Sequence, residues 1–206
     1  MFDAAIRPHI DKPLASLARV AVAWNLSANQ ITLAGFVLGM VAAVLIASKL
    51  FWPALAVLLL SRILDGLDGA VARLTKQTDL GGYLDITLDF IVYTSVAFSF
   101  ALADPEKNAL AAAFLTTSFM APAATFLAYA IIAAKRGITT EIRGSKSLYY
   151  LGGLTEGFET IFALCLMCLL PDWFAIIAVV YAVMCWVTGG TRIAAAVQAF
   201  GESAKT

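Results

Sequence analysis

The sequence predicts an all-α, polytopic membrane fold: six transmembrane helices preceded by an amphipathic helix at the membrane interface. Three observations carry that expectation. Of 206 residues, 61% are hydrophobic and only 14% are charged, against about 25% charged in soluble domains, which is too little polar surface for a water-exposed shell. The mean hydropathy is +0.86. The apolar residues also gather into stretches that can each cross ~30 Å of hydrocarbon at ~1.5 Å per helical residue. This composition excludes a soluble domain, a disordered chain, a collagen-like fibre and a disulfide-stapled secreted module. Fourteen Lys+Arg balance fourteen Asp+Glu, so there is no basic footprint for nucleic acid.

Residues 1–25 read as the interfacial helix. No signal peptide is expected, because Arg7, Lys12 and Arg19 alternate with Asp3 and Asp11 and leave no apolar core. The pattern becomes helical from Pro13, expected at the first helical position, and Ile10, Leu14, Leu17, Ala21 and Trp24 recur at three- and four-residue steps. Such a helix lies in the interface or packs on protein, and the pattern fits both. The six spans are expected at 31–49, 52–73, 84–103, 109–134, 148–170 and 173–198. Their connections are short and no repeat is present, so residues 1–206 read as one membrane domain, with 26–206 as its six-helix catalytic part. Gly35 and Gly39 form a small-xxx-small step, suited to packing within the chain or to a homodimer seam. Cys165 and Cys168, in an apolar span without His, read as small buried packing residues, and His9 as a surface residue.

Basic residues orient the chain. With a cytoplasmic N-terminus, that side holds Arg7, Lys12, Arg19, Arg73, Lys76, Lys135, Arg136, Arg143, Lys146 and Lys205, whereas the opposite side holds only Lys49 and Lys107. The positive-inside bias therefore places both termini in the cytosol, in a bacterial inner membrane. Arg62 and Arg192 fall within spans.

The acids are more telling. Asp65 and Asp68 lie in the second span, three apart, and Asp85 and Asp89 in the third, four apart, so each pair shares one helix face. Acids at membrane depth are rare and usually functional. A hairpin of the two spans gathers all four, and their mutual repulsion then calls for a cation. An oxygen-only set suits hard ions, Mg²⁺ or Mn²⁺, and four acids are enough for two of them. Gly69 and Ala72 leave the second helix partly bare, Gly81 does the same four residues before Asp85, and Arg73 can grip phosphate oxygens. Together these describe a pyrophosphate site with phosphoryl-transfer chemistry.

The run Asp65-Gly-Leu-Asp68-Gly69-Ala-Val-Ala72-Arg73, followed by Gly81-Gly-Tyr-Leu-Asp85-Ile-Thr-Leu-Asp89, resembles the signature of the CDP-alcohol phosphotransferase family. That pattern is D-x2-D-G-x2-A-R, then G-x3-D-x3-D, and all eight specified positions match. Seven residues rather than about eight separate Arg73 from Gly81. Ser27-Ala-Asn29-Gln-Ile-Thr32 is similar to the T-P-N-x-x-T run that often precedes the motif. The resemblance implies that Asp65, Asp68 and Asp85 hold two divalent ions, with Asp89 beside them as general base. It implies that Asp68, Gly69, Ala72, Arg73 and Gly81 surround the CDP moiety. It further implies transfer of a phosphoalcohol group from a CDP-alcohol, expected to be CDP-diacylglycerol, to a small alcohol acceptor such as glycerol 3-phosphate, with release of CMP.

A second polar set lies at the same depth in the later spans: Glu156 and Glu159 open span five, Arg192 lies in span six, and Lys135 and Arg136 begin the intervening loop. These residues read either as an acceptor pocket or as structural Glu–Arg pairing, with the basic loop touching anionic lipid heads. Three alternatives stand beside this reading. One is transfer of the CDP-choline or CDP-ethanolamine type to diacylglycerol, another a catalytically silent scaffold. The third, a cation- or proton-coupled transporter, is opposed by the missing repeat and by the Arg and glycines in register with the acids.

Overall fold

The computed structural model describes residues 3–137 and 153–201, with side chains from residue 11 onward. Every regular element among them is helical: α1 (Asp3–Ala23), α2 (Ala28–Ala47), α3 (Phe51–Leu74), α4 (Asp79–Ala103), α5 (Pro105–Ser118), α6 (Met120–Lys135), α7 (Gly157–Leu169) and α8 (Phe174–Gly201), the last entered through a 3-10 turn at Pro171–Trp173. Four segments, Ala28–Ala47, Asp79–Ala103, Pro105–Lys135 and Pro171–Gly201, are long and apolar enough to cross a membrane. With 24 residues, α3 has the length but carries Arg62, Asp65, Asp68 and Arg73. α7 is apolar but only 13 residues long.

Local chemistry sets the helix ends. Ser27 and Gln30 form a capping box: the Gln30 N–H donates to Ser27 Oγ at 3.3 Å, and the Ser27 N–H to Gln30 Oε1 at 2.9 Å. This starts α2 and fixes the rotation at which Asn29 and Thr32 leave it. At its other end the Leu50 N–H reaches the Leu45 carbonyl and the Lys49 N–H that of Ile46, a Schellman closure with Lys49 at φ 62°. The chain reverses within a few residues, so α3 returns beside α2. Thr78 caps α4, accepting from the Gly81 N–H at 3.0 Å. The third span, α4, therefore begins at Asp79, five residues before the expected 84.

Two spans depart further from expectation. The stretch expected at 109–134 is two helices, because Pro122 offers no N–H to the Ser118 carbonyl and its ring crowds that group, breaking the helix at Phe119. The stretch expected at 148–170 is helical only from Gly157, and residues 148–152 lie outside the described residues, as do Arg143 and Lys146. Here the Leu154 and Thr155 N–H groups each donate to Thr188 Oγ1 of α8 at 3.1 Å. A tertiary partner thus satisfies backbone donors that a helix would otherwise have to serve.

Helix α2 packs on both α3 and α4, and α5, α6 and α7 gather around α8. The core runs through Leu58, Val92, Val96, Leu115, Leu164 and Met167, and at one end Phe51, Phe100 and Phe174 stack with centroids 5.8 and 4.3 Å apart. Cys168 and Cys185 are buried in this core and all three cysteines are free thiols, in keeping with a packing role. Helix α1 lies on α3 through Leu14, Ala18 and Ala21. Its Leu17, Val20 and Trp24 stay exposed, so the face expected to act as one apolar stripe divides between protein and surroundings.

The Gly35/Gly39 step is spent inside the chain. A Cβ at Gly39 would stand 2.7 and 2.8 Å from the two γ-methyls of Val92, and one at Gly35 would stand 3.3 Å from the Ser61 carbonyl oxygen and Leu64 Cβ. These glycines let α2 approach α3 and α4 backbone to backbone. Gly39→Leu is accordingly expected to destabilise the protein by about 1–3 kcal/mol, the usual cost of overpacking. Gly190→Ala in α8, where an added Cβ meets nothing within 4 Å, should be neutral or stabilising by up to about 1 kcal/mol. Thermal unfolding in detergent measures both.

Candidate active site

Helices α3 and α4, consecutive in the chain and both packed on α2, build the site. Asp65 and Asp68 leave the C-terminal half of α3 one turn apart, and Asp85 leaves the second turn of α4. One carboxylate oxygen from each of Asp65, Asp68 and Asp85 lies within 4.8 Å of the others. Asp68 is buried, at 5% exposed, Asp65 is half-buried and Asp85 faces outward. At such spacing two ionised carboxylates repel by roughly 3 kcal/mol at an effective dielectric of about 20. A cation between them removes that cost, and a set of three carboxylates with no nitrogen or sulfur donor fits a hard divalent ion.

Neighbouring groups hold this set in place. Thr32 of α2 donates its hydroxyl to Asp68 Oδ2 at 2.5 Å, which orients the carboxylate from the adjacent helix. Asn29, one turn earlier, puts its Oδ1 3.2 Å from the point where a Cβ on Gly81 would sit, and Thr78 Oγ1 is 3.1 Å from that point. Gly81 therefore lies in a cleft that a side chain would fill. Gly69 does similar work on α3: Arg73 Nη1 stands 3.5 Å from the place a Cβ would take. The Arg73 side chain thus folds back along the bared helix face, still exposed at its end. Ala72, between them, is half-buried.

Asp89 sits one turn beyond Asp85, beside Asp65, and has further partners of its own. Its Oδ1 accepts from Arg62 Nη1 at 2.5 Å and its Oδ2 from the Tyr93 hydroxyl at 3.0 Å. Arg62 Nη1 also lies 3.8 Å from Asp65 Oδ1, while Nη2 donates to Ser61 Oγ at 2.9 Å. The structure thus joins the expected metal carboxylates to Asp89 through a buried arginine. From the sequence, Arg62 reads only as a basic residue inside a span. The signal was present: an arginine in an apolar run needs a partner, and Asp65 is three residues on. Tyr93, four residues after Asp89, carried an equally readable spacing.

The second polar set is assembled around Gly153. Its N–H donates to Glu156 Oε1 at 3.3 Å, and Arg192 Nη2 comes within 3.5 Å of the position of a Cβ there. Arg192 Nη1 donates to the Pro122 carbonyl at 2.9 Å, and its guanidinium lies over the Phe126 ring at 6.0 Å. That carbonyl belongs to the first turn of α6 just after the helix break. Glu159 stands in the first turn of α7, which packs on α3 and α8. Lys135 and Arg136 end α6 on the surface, and Arg136 covers the Phe200 ring at 4.9 Å. Glu156 and Arg192 are therefore neighbours, whereas Arg136 turns toward the end of α8.

Comparison with known proteins supplies an independent observation. The family model described as CDP-alcohol phosphatidyltransferase matches residues 25–192. Over 193 residues the chain is 46% identical to the inner membrane protein YnjF of Escherichia coli (strain K12), covering 94% of each. It is 34% identical over 98 residues to archaetidylinositol phosphate synthase of Pyrococcus horikoshii, which is 47% of this chain and 52% of that one. The fold is similar to that of Mycobacterium tuberculosis phosphatidylinositol phosphate synthase (PgsA1), whose crystal structure has CDP-DAG bound. The TM-score is 0.69 with 19% identity, over 87% of this chain and 91% of that one. That likeness speaks for the fold, and the sequence matches speak for the lineage. An integral membrane transferase of phospholipid biosynthesis, the chain belongs to the CDP-alcohol phosphatidyltransferase family.

Proposed function

We propose that this enzyme transfers a phosphatidyl group from CDP-diacylglycerol to a hydroxyl of a small polyol or polyol phosphate, releasing CMP. The observation that carries the reading is the convergence of the Asp65, Asp68 and Asp85 carboxylates within 4.8 Å, beside the bared helix faces at Gly69 and Gly81. Asp65, Asp68 and Asp85 would hold two divalent ions, Mg²⁺ or Mn²⁺, with Asp89 next to them. Such ions, when bound, supply the positive charge that a diphosphate and a departing nucleotide require.

The chain's own residues do the rest. Arg73 grips a phosphate oxygen, and Gly69, Ala72 and Gly81 admit the nucleotide against the backbone. The acceptor oxygen bonds to the phosphorus that carries the lipid, and the bond from that phosphorus to the CMP oxygen breaks. The proton of the acceptor hydroxyl passes to Asp89 as general base. Glu156, Glu159 and Arg192 line the acceptor pocket, with Lys135 and Arg136 at its outer edge. The names of the two synthases above, both of inositol phosphate products, favour a polyol or its phosphate. They make transfer from a soluble CDP-alcohol to diacylglycerol the second choice.

In this reading α3 and the α7 segment complete six spans, and residues 1–206 form one membrane unit with 1–25 at the interface. Both termini and the nucleotide site face the cytosol, which the distribution of Lys and Arg supports. Nucleotide then enters from water, while the diacylglycerol tails enter sideways from the bilayer.

Three outcomes are expected. Purified enzyme in detergent releases CMP from CDP-diacylglycerol only with Mg²⁺ or Mn²⁺ and an acceptor, and loses the activity in EDTA; release without metal overturns the reading. Asp89→Asn keeps its unfolding midpoint, because Arg62 retains Asp65, yet loses roughly 10²–10⁴-fold in kcat, the usual worth of a positioned base. Glu156→Gln changes the acceptor KM by about tenfold with the CDP-diacylglycerol KM unchanged, since it removes binding from one substrate alone. An acceptor panel with unaltered KM values would exclude Glu156 from the pocket.

A further inference from the structure

Arg62 is the unexpected charge in α3. It sits three residues before Asp65 within an apolar helix and is only 8% exposed. An arginine at that depth persists only where its charge and its donors are used. Here the fork is divided. Nη1 serves Asp89 Oδ1 and stands 3.8 Å from Asp65 Oδ1. Nη2 donates to Ser61 Oγ at 2.9 Å, and the Ser61 hydroxyl donates to the Gly35 carbonyl at 2.7 Å, which ties the guanidinium to α2. The Tyr93 ring of α4 covers it at 5.3 Å, and the same residue's hydroxyl donates to the other oxygen of Asp89. Three helices thus converge on one guanidinium, and both oxygens of Asp89 are taken.

We infer that Arg62, assisted by Tyr93, is a positioning residue for the transfer reaction: it fixes Asp89 beside Asp65 by a cation of its own and keeps it aimed at the acceptor. This rests on the reading of Asp89 as the proton acceptor. The physical problem is one of competition. Four carboxylates on adjacent turns all gain by approaching a divalent cation, and a carboxylate captured by the metal no longer serves the acceptor hydroxyl. The observed set comprises Asp65, Asp68 and Asp85, and Arg62 offers Asp89 a competing cation of fixed place. Only a planar fork can serve Asp89 with one arm and Ser61 with the other, so lysine keeps the charge but loses the anchor.

The test uses the full-length enzyme in detergent, with kinetics, thermal unfolding and Mn²⁺ binding read by electron paramagnetic resonance. Arg62→Lys is expected to keep its unfolding midpoint and a CDP-diacylglycerol KM within about twofold, while kcat falls roughly tenfold. Arg62→Met should lose about a hundredfold in kcat yet bind Mn²⁺ at least as tightly as the parent, because a positive charge near Asp65 has gone and Asp89 is released toward the ions. Tyr93→Phe should fall between the parent and Arg62→Lys. Near-parental kcat in either arginine variant overturns the inference. So does a loss of kcat that tracks weaker Mn²⁺ binding or, in Arg62→Lys, a lowered unfolding midpoint, for then Arg62 is a structural prop. Should Arg62→Met fail to fold, Arg62→Lys decides alone. Asp89→Asn measured in parallel separates the two ideas. Normal turnover there removes the base assignment itself, whereas a crippled Asp89→Asn with normal Arg62 variants removes only the positioning role.

Discussion

Holding three carboxylates within 4.8 Å of one another, in a protein whose surroundings are largely apolar, is the constraint around which the N-terminal half of this molecule is organised. Each ionised pair at that spacing repels by several kcal/mol unless a cation stands between them. The backbone geometry must therefore be imposed from elsewhere. It comes from close helix contact: Gly35 and Gly39 bring α2 against Ser61, Leu64 and Val92, and the Schellman closure at Lys49 sets α3 alongside α2. With α3 and α4 so placed, the three- and four-residue spacings of the aspartates turn them toward one volume.

The same packing accounts for the polar residues that surround the acids. Thr32 reaches Asp68 because the capping box of Ser27 and Gln30 begins α2 at a fixed residue. Thr78 caps α4 and so carries Gly81 to the side of Asn29. Arg62 links the aspartates of α3 and α4 to Ser61 and through it to α2. Charge, caps and small residues therefore serve one arrangement. Local preference and global fold agree at this end of the molecule, as expected of a sequence with little frustration.

The C-terminal half follows another logic. Its helices are interrupted at Phe119, ahead of Pro122, whose own carbonyl accepts from Arg192, and before Gly157, where Thr188 gathers the N–H groups of Leu154 and Thr155. Irregular backbone inside an apolar protein is tolerated only where such partners exist. The result is a polar cluster of Gly153, Glu156 and Arg192 within an otherwise apolar group of helices, of which α7 packs against α3. One half of the molecule presents carboxylates and the other presents mixed charge.

The class of the protein, the aspartate motif and the two helices that carry it are legible in the amino-acid sequence. These follow from composition and from spacings of three and four residues, and local covalent geometry converts such spacings into a shared helix face without help from the rest of the chain. Glu156, Glu159 and Arg192 also read as unusual there, because charge in an apolar run is visible wherever it falls. Only the tertiary structure decided what those charges meet. Arg62 and Asp89 are 27 residues apart in the chain, Thr32 and Asp68 are 36 apart, and Arg192 finds its carbonyl 70 residues away. The break at Phe119 follows from Pro122 and is legible locally. The late start of α7 is hidden, since hydropathy counts apolar residues but does not register which carbonyls and N–H groups find partners on another helix. Pairings of that kind depend on how closely the helices approach, and no single segment carries that information.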